Sequence, residues 1–414
     1  MASLVFQLSG TCNNYPWGKK GRQSLAAQLC AQTPGTDFKI EDDQFYSEMW
    51  FGDYPNFPAR ILETGEPLRD VLDRNKEKLL GRKVIEKYDA QVPFLPKILS
   101  IQKALPLQIH PNKELASKLH KENPEKFTDP NHKPEIAVAL SNFELFAGFK
   151  PLDEIAPVFT LLPELAQFVP SGQQSDPNSW TDDTLRQVTR AILKADEPAI
   201  KAAQDALLHR ADRAALDARG GGAGYVLDLL PRLQSQHGAR DPGTLVALLC
   251  MNFLALGPGE AVYVPQDGIH AYLSGDVVEC MARSDNVLNT GFCPPAGRDS
   301  ADLFAAALTF RAHARDDVYL PSTQSGKSSS GRTAVYEPDL SEFDMLRADL
   351  GAGEEDELSE SDGPGVMIVT RGCGEMEADG GTFDLSEGFI FYVAPGVRVK
   401  WRTEAGMQIF MAVV

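Results

Sequence analysis

The chain has 414 residues and a net charge of −18, enough length for two or three packed units and no basic stripe to engage nucleic acid. Its six cysteines (Cys12, Cys30, Cys250, Cys280, Cys293, Cys373) form no CxxC, which suits free thiols in a reducing compartment rather than a disulfide framework. No apolar run reaches the ~18 residues of a membrane span and the N-terminus lacks the features of a secretion signal, so a cytoplasmic protein is expected.

In chain order, Leu4 to Leu8 alternates like a strand, Asn13 to Gly21 reads as a loop, and Ser24 to Cys30 as a short helix. Phe45 to Gly52 reads as a strand, and Leu68 to Leu80 as a helix ended by Gly81. A long strand is expected over Phe94 to His110, stopped by Pro111-Asn112, followed by a helix over Lys113 to Glu122. After the polar loop Asn123 to Pro134, Glu135 to Leu140 is an apolar strand. From Pro151 to about Gln236 the period turns helical, over Asp153 to Phe168, Asp182 to Leu193, Pro198 to Ala218 and Ala223 to Gln236. Strand character returns at Leu245 to Leu256 and at Ala261 to Val264, and Ala271 to Met281 continues it. Pro321 to Arg332 is Ser/Gly-rich and reads as a flexible link. The acidic run from Glu354 to Asp362 reads as a solvated loop, and Val366 to Val414 is rich in short strands.

Three separated pieces carry possible chemistry. Gln108 and His110 lie two apart on a predicted strand, so their side chains point to one side. Glu135 stands where a loop meets a strand, and His270 follows the turn Val264 to Gly268. Two imidazoles, a carboxylate and an amide oxygen suit Zn²⁺ or another first-row divalent ion. Spacing alone does not assemble them, and Gln-x-His reads equally as a capped strand end with a surface histidine.

The assembled pattern resembles type I phosphomannose isomerases, zinc enzymes of the cupin class. Leu105 to Lys113 is similar to their central "LSIQxHPNK", Lys133-Pro134-Glu135 to their "KPE", and Ile269 to Pro295 to the segment beginning "PHAYLxGD". Tyr15 to Gly18, Glu48 to Gly52 and Phe143 to Leu152 match further family motifs. The resemblance implies a mainly β fold: two cupin-like β-barrels of jelly-roll type with an inserted α-helical domain. It assigns 1–150 and 240–320 to the metal-binding barrel, 151–239 to the helical insertion, and 321–414 to a linker and a second barrel. It also implies one Zn²⁺ per chain held by Gln108, His110, Glu135 and His270. The implied activity interconverts mannose 6-phosphate and fructose 6-phosphate, in supply of GDP-mannose. Lys133, Glu279 and Asp285 become the candidates for proton transfer, and Lys97 for lining the pocket. Lys133 reads equally as a surface lysine, and Glu279 as a residue that orients a ligand.

The departures cluster at the end expected to hold phosphate. The family serine before "IQxHP" is Pro106, the family arginine after "SDNVx" is Asn289, and the family lysine of "TPK" is Pro295. A dianionic phosphate ordinarily needs such donors. Arg283 and Arg298 are nearby cations that offer replacements. The expected partner is therefore a small sugar or sugar phosphate, bound by a monomer without nucleic acid or membrane. The alternatives are a metalloenzyme acting on a sugar without phosphate or on a specialised metabolite, and a non-catalytic metal-stabilised binding protein.

Overall fold

The computed structural model describes residues 3–339 and 342–414. Two large antiparallel sheet systems, of ten and eleven strands, carry the fold. Each curls into a cupin-like barrel, and a helical unit covers one outer side of the first barrel.

The organising element of the first barrel is the strand His270–Ala282. Its first half pairs with Phe143–Phe149 and meets Leu107–Ile109 at His270. Its second half pairs with Phe94–Ile101 and Glu135–Ala139. The bend between the halves falls at Gly275, which adopts φ +123°. A Cβ there would come within 2.5 Å of the Asn142 carbonyl oxygen, so only glycine turns the strand at this point. One strand thus serves both walls of the barrel, and residues from its two halves face each other across the interior.

The strand expected over Phe94 to His110 is two strands, Phe94–Ile101 and Leu107–Ile109. Pro106, which has no N–H to donate, stands in the break. The alternation on the second strand still holds. Leu107 and Ile109 are fully buried in the core shared with the helical unit, while Gln108 lies on the opposite face. Burying each of these apolar side chains contributes ~1.5–3 kcal/mol, and it fixes which face Gln108 presents.

The helical unit is longer and more broken than the apolar period predicts. Pro157 and Pro163 divide its first segment into Leu152–Ile155, a 3-10 stretch Ala156–Thr160 and Pro163–Ala166. Pro198 to Ala218 is two helices, Glu197–Arg210 and Arg213–Arg219, the second capped by Asp212. The expected strand Leu245 to Leu256 is instead the helix Pro242–Cys250 followed by the strand Met251–Leu256. Every residue of that helix is buried. A short, wholly apolar run carries no period that separates helix from strand, and the Asp241-Pro242 start is the signal that decides it. The unit therefore extends past 239, to Cys250.

Two expectations about the second barrel also change. The strand Val5–Ser9 belongs to it, pairing with Ile390–Val393 on one side and Arg60–Ile61 on the other. The Ser/Gly-rich stretch is not a free link. Asp356, 1 % exposed, accepts hydrogen bonds from the hydroxyls of Ser328, Ser330 and Thr333 at 2.6, 2.8 and 2.6 Å. Asp356 lies in the strand Glu355–Leu358, so part of the acidic run is sheet rather than solvated loop. Short polar side chains that compete poorly for a core here wrap a buried carboxylate.

Candidate metal centre

His270 begins the central strand, with Gln108 as its neighbour across the sheet. Glu135 lies on the other wall, opposite Met281. The bend at Gly275 turns these walls toward each other, so His110, Glu135 and His270 present ligand atoms within 4.8 Å of one another. All three are at most 2 % exposed. The Gln108 amide lies 3.1 Å from His270 Nε2, so the fourth expected ligand belongs to the same cluster.

The donor set fits a divalent metal. His110 Nδ1 lies 2.8 Å from the Asn286 carbonyl oxygen and His270 Nδ1 lies 3.0 Å from that of Gly268. A carbonyl only accepts, so each Nδ1–H donates and each Nε2 is left with a bare lone pair. Those two nitrogens face the Glu135 carboxylate at 3.2 and 3.5 Å, and His110 Nε2 is buried without a hydrogen-bond partner. His110 Nε2 and the Glu135 carboxylate are thus two acceptors 3.2 Å apart with no proton between them, an arrangement that a cation relieves, while His270 Nε2 is met by the Gln108 amide. Burial, together with Lys133, holds His110 below the usual histidine range. Burial also takes His270 down to about 4. Both imidazoles are therefore in the neutral form that ligates. Burial works against the charge of Glu135, while the Lys133 ammonium beside it favours that charge and helps to hold the carboxyl below the usual range.

Around the cluster stands a shell that fixes it. Asn286 donates its amide to the backbone carbonyls of Asp129 and Asn131 at 2.8 and 2.9 Å, pinning the loop that leads to Lys133. Lys133 Nζ is 3.6 Å from Glu135. The Tyr272 hydroxyl donates to Glu135 at 3.4 Å. On the same wall, Lys97 Nζ lies 3.5 Å from Glu279 and 4.6 Å from the centre of the Trp50 ring. Trp50 Nε1 in turn donates to Glu48 at 2.5 Å. Burial raises the Glu279 carboxyl and the Glu135 charge adds to it, giving about 7. Burial alone would lower Lys97, but Glu48 and Glu279 outweigh it and keep the ammonium charged. Three carboxylates thus share two lysines, leaving an excess negative charge that a dication offsets.

The remaining expected residues divide. Lys97, Lys133 and Glu279 enter the cluster. Asp285 is exposed at the rim, its backbone N–H donating to Asp129 at 2.9 Å. Asn289 is the sheet partner of Gln108, so its side chain lies on the same face. Arg283 is at the rim, paired with Asp53. Arg298 does not reach the site. Its guanidinium is committed to the buried Asp241 at 2.7 Å and to the Cys293 carbonyl, beside the start of the Pro242–Cys250 helix. Glu48 and Tyr272 were not expected. Tyr272 follows His270 by two and shares its face on the strand, which is the signal that identifies it.

Comparison with known proteins agrees with this geometry. Residues 5–152 match the family model for the phosphomannose isomerase type I catalytic domain. The mannose-6-phosphate isomerase of Saccharomyces cerevisiae is 34% identical, with 98% of this chain and 97% of that protein covered. That of Cryptococcus neoformans is 35% identical over the whole of both chains. Among solved structures, the Salmonella typhimurium mannose 6-phosphate isomerase bound to fructose 6-phosphate and zinc superposes with a TM-score of 0.79 at 23% identity, covering 99% of each chain. It shares the fold. The full-length identity to the two fungal enzymes shows that this chain belongs to the type I phosphomannose isomerase family.

Proposed function

We propose that the protein is a zinc-dependent aldose–ketose isomerase that interconverts mannose 6-phosphate and fructose 6-phosphate. The observation that carries this reading is the convergence of the buried His110, Glu135 and His270 ligand atoms, with His110 Nε2 left without a partner. The reaction moves a proton between C2 and C1 while the carbonyl moves the other way. It requires a base, a stabilised enediolate oxygen, and proton movement between O1 and O2. Gln108, His110, Glu135 and His270 would hold the Zn²⁺, whose charge stabilises the negative oxygen that develops on the sugar.

The chain's own residues supply the rest. Glu279 has a carboxyl poised where it can both take and return a proton near pH 7. Lys97 holds that carboxyl in place and stays cationic, 5 % exposed. Lys133 points an ammonium at the Glu135 side of the cluster, where it can donate to a sugar oxygen. Asp285, expected as a proton-transfer candidate, is exposed at the rim and in this reading would act on the far hydroxyls of the substrate rather than on its reacting carbons. In this reading the protein works as a monomer in the cytoplasm.

The replacement of family donors by Pro106, Asn289 and Pro295 favours a second reading, in which the same centre isomerises a sugar without phosphate. Turnover of mannose 6-phosphate by zinc-loaded and metal-free protein decides between them. A zinc-dependent kcat/KM of ~10⁴ M⁻¹s⁻¹ or more supports the first. Background turnover with zinc bound refutes it and moves the search to uncharged sugars.

A further inference from the structure

We propose that Arg283, held in place by Asp53, binds the phosphate end of the substrate in a cavity beside the barrel mouth. The proposal rests on the sugar-phosphate reading above and supplies the donor that the altered family positions lack.

The position follows from the sheet. Met281 is the register partner of the metal ligand Glu135. Arg283 follows two residues later, with its N–H bonded to the Pro93 carbonyl oxygen at 2.9 Å. It therefore projects from the interior face of the barrel wall, ~7 Å along the strand from the level of the metal ligands. A hexose lying along the wall with its reacting carbons at the metal extends its far end toward that level.

The guanidinium is held rather than loose. Nη1 donates to Asp53 at 2.5 Å, and the group stacks over the Tyr54 ring at 5.1 Å. Tyr54 packs edge-on against Trp50, the same ring that carries Lys97. The Asp53 side chain is fully buried and is shared with Arg69 Nη1 at 3.4 Å. Arg69 is held more closely by Asp73, at 2.9 Å, so Asp53 serves chiefly to fix the Arg283 guanidinium. Among the described residues, Arg283 Nε and Nη2 have no hydrogen-bond partner and are not buried, so part of the fork is open to a ligand. A preset planar fork is what bidentate recognition of phosphate requires.

There is space for the group. Arg283, Lys113, Lys87 and Asn131 help to line a cavity of ≈ 530 Å³, within the range of small-ligand sites. Two acids on its wall are already engaged. Asp129 accepts from the backbone N–H groups of Asp285 and Asn131 and from the Asn286 amide, and Glu342 is paired with His132. Lys87, Lys113 and Arg283 share the wall with Asp89, Asp129, Asp285 and Glu342, so the open edge of the Arg283 fork, rather than a net positive wall, is what would hold the anion.

The test is fructose 6-phosphate binding to zinc-loaded protein by calorimetry, alongside KM and kcat for mannose 6-phosphate. Arg283→Gln should raise both Kd and KM by about 10- to 100-fold, as loss of a charge-assisted hydrogen bond does, with kcat far less affected. Arg283→Lys should recover part of the loss, since the charge returns without the fork. Asp53→Asn should weaken binding with Arg283 itself intact. Inorganic phosphate should compete with fructose 6-phosphate on the wild type and much less on Arg283→Gln.

Unchanged fructose 6-phosphate affinity in a folded Arg283→Gln protein overturns the proposal. So does a wild type that binds neither fructose 6-phosphate nor inorganic phosphate. The two readings fail separately. Arg283-dependent binding without turnover keeps the phosphate site and removes the isomerase. Zinc-dependent turnover with unchanged KM in Arg283→Gln does the reverse.

Discussion

Replacing Glu279 with glutamine tests the electrostatics of the centre directly. The carboxyl is 4 % exposed, and burial together with the Glu135 charge raises it from 4.5 to about 7. In the unfolded chain it ionises near its ordinary value. Below pH ~4.5 both states hold the proton and the group has no effect on stability. As pH rises toward 7 the unfolded state releases its proton while the folded state keeps it, so stability is lost through this window and levels off above it. The size follows from the difference, at 1.36 kcal/mol per pKa unit, as about 3 kcal/mol. Glutamine keeps the shape and removes the titration. Urea unfolding of metal-free wild type and Glu279→Gln at pH 5 and pH 8 isolates the effect. His110 and His270 titrate in both proteins and cancel in the comparison. The wild type should lose about 2.5 kcal/mol relative to the variant between these pH values, the rest of the loss lying below pH 5. Parallel pH dependence in the two proteins refutes the assignment. If Glu279 also moves the substrate proton, the variant should lose ~10²–10⁴-fold in kcat.

His270→Ala removes one of three buried ligands and should abolish stoichiometric zinc, read by elemental analysis. It should also erase the thermal stabilisation that zinc gives the wild type, ~4 kcal/mol at a thousandfold excess over Kd. Gly275→Ala sets a Cβ 2.5 Å from a carbonyl oxygen in a backbone conformation of φ +123°, and should cost ~1–3 kcal/mol from the strained backbone alone. A melting temperature equal to wild type would contradict that account of the bend. Asp356→Ala leaves the hydroxyls of Ser328, Ser330 and Thr333 without their shared acceptor. It should destabilise the second barrel by ~1–3 kcal/mol or more and expose the 325–333 stretch to protease; unchanged proteolysis would show that the stretch is held by other contacts.

The clustering of the proposed ligands was legible because alternation on a strand survives local breaks. Gln108 and His110 keep one face whether the strand begins at Phe94 or at Leu107, and the resemblance supplied the partners that lie far away in sequence. The boundaries were less legible where burial is uniform. Leu245 to Cys250 is apolar at every position, so nothing in its pattern distinguished helix from strand. Arg298 shows a different limit. Its place in the sequence, near the altered family positions, said nothing about Asp241, whose charge claims it. Nor did composition show that Ser/Gly-rich chain would be pinned, because the pinning residue, Asp356, sits inside a run of acids that are otherwise solvated.

The pairing of Val5–Ser9 with Ile390–Val393 has a consequence for synthesis. The strand is translated more than 380 positions before this sheet partner. During that interval only Arg60–Ile61 can pair with one of its sides, and the other remains an open edge available to other chains. The second barrel is therefore a late-closing structure, completed by segments far apart along the polypeptide. A fragment ending before Ile390 would carry all four proposed metal ligands while remaining prone to aggregate through a strand that looks, in sequence, like part of the metal-binding barrel.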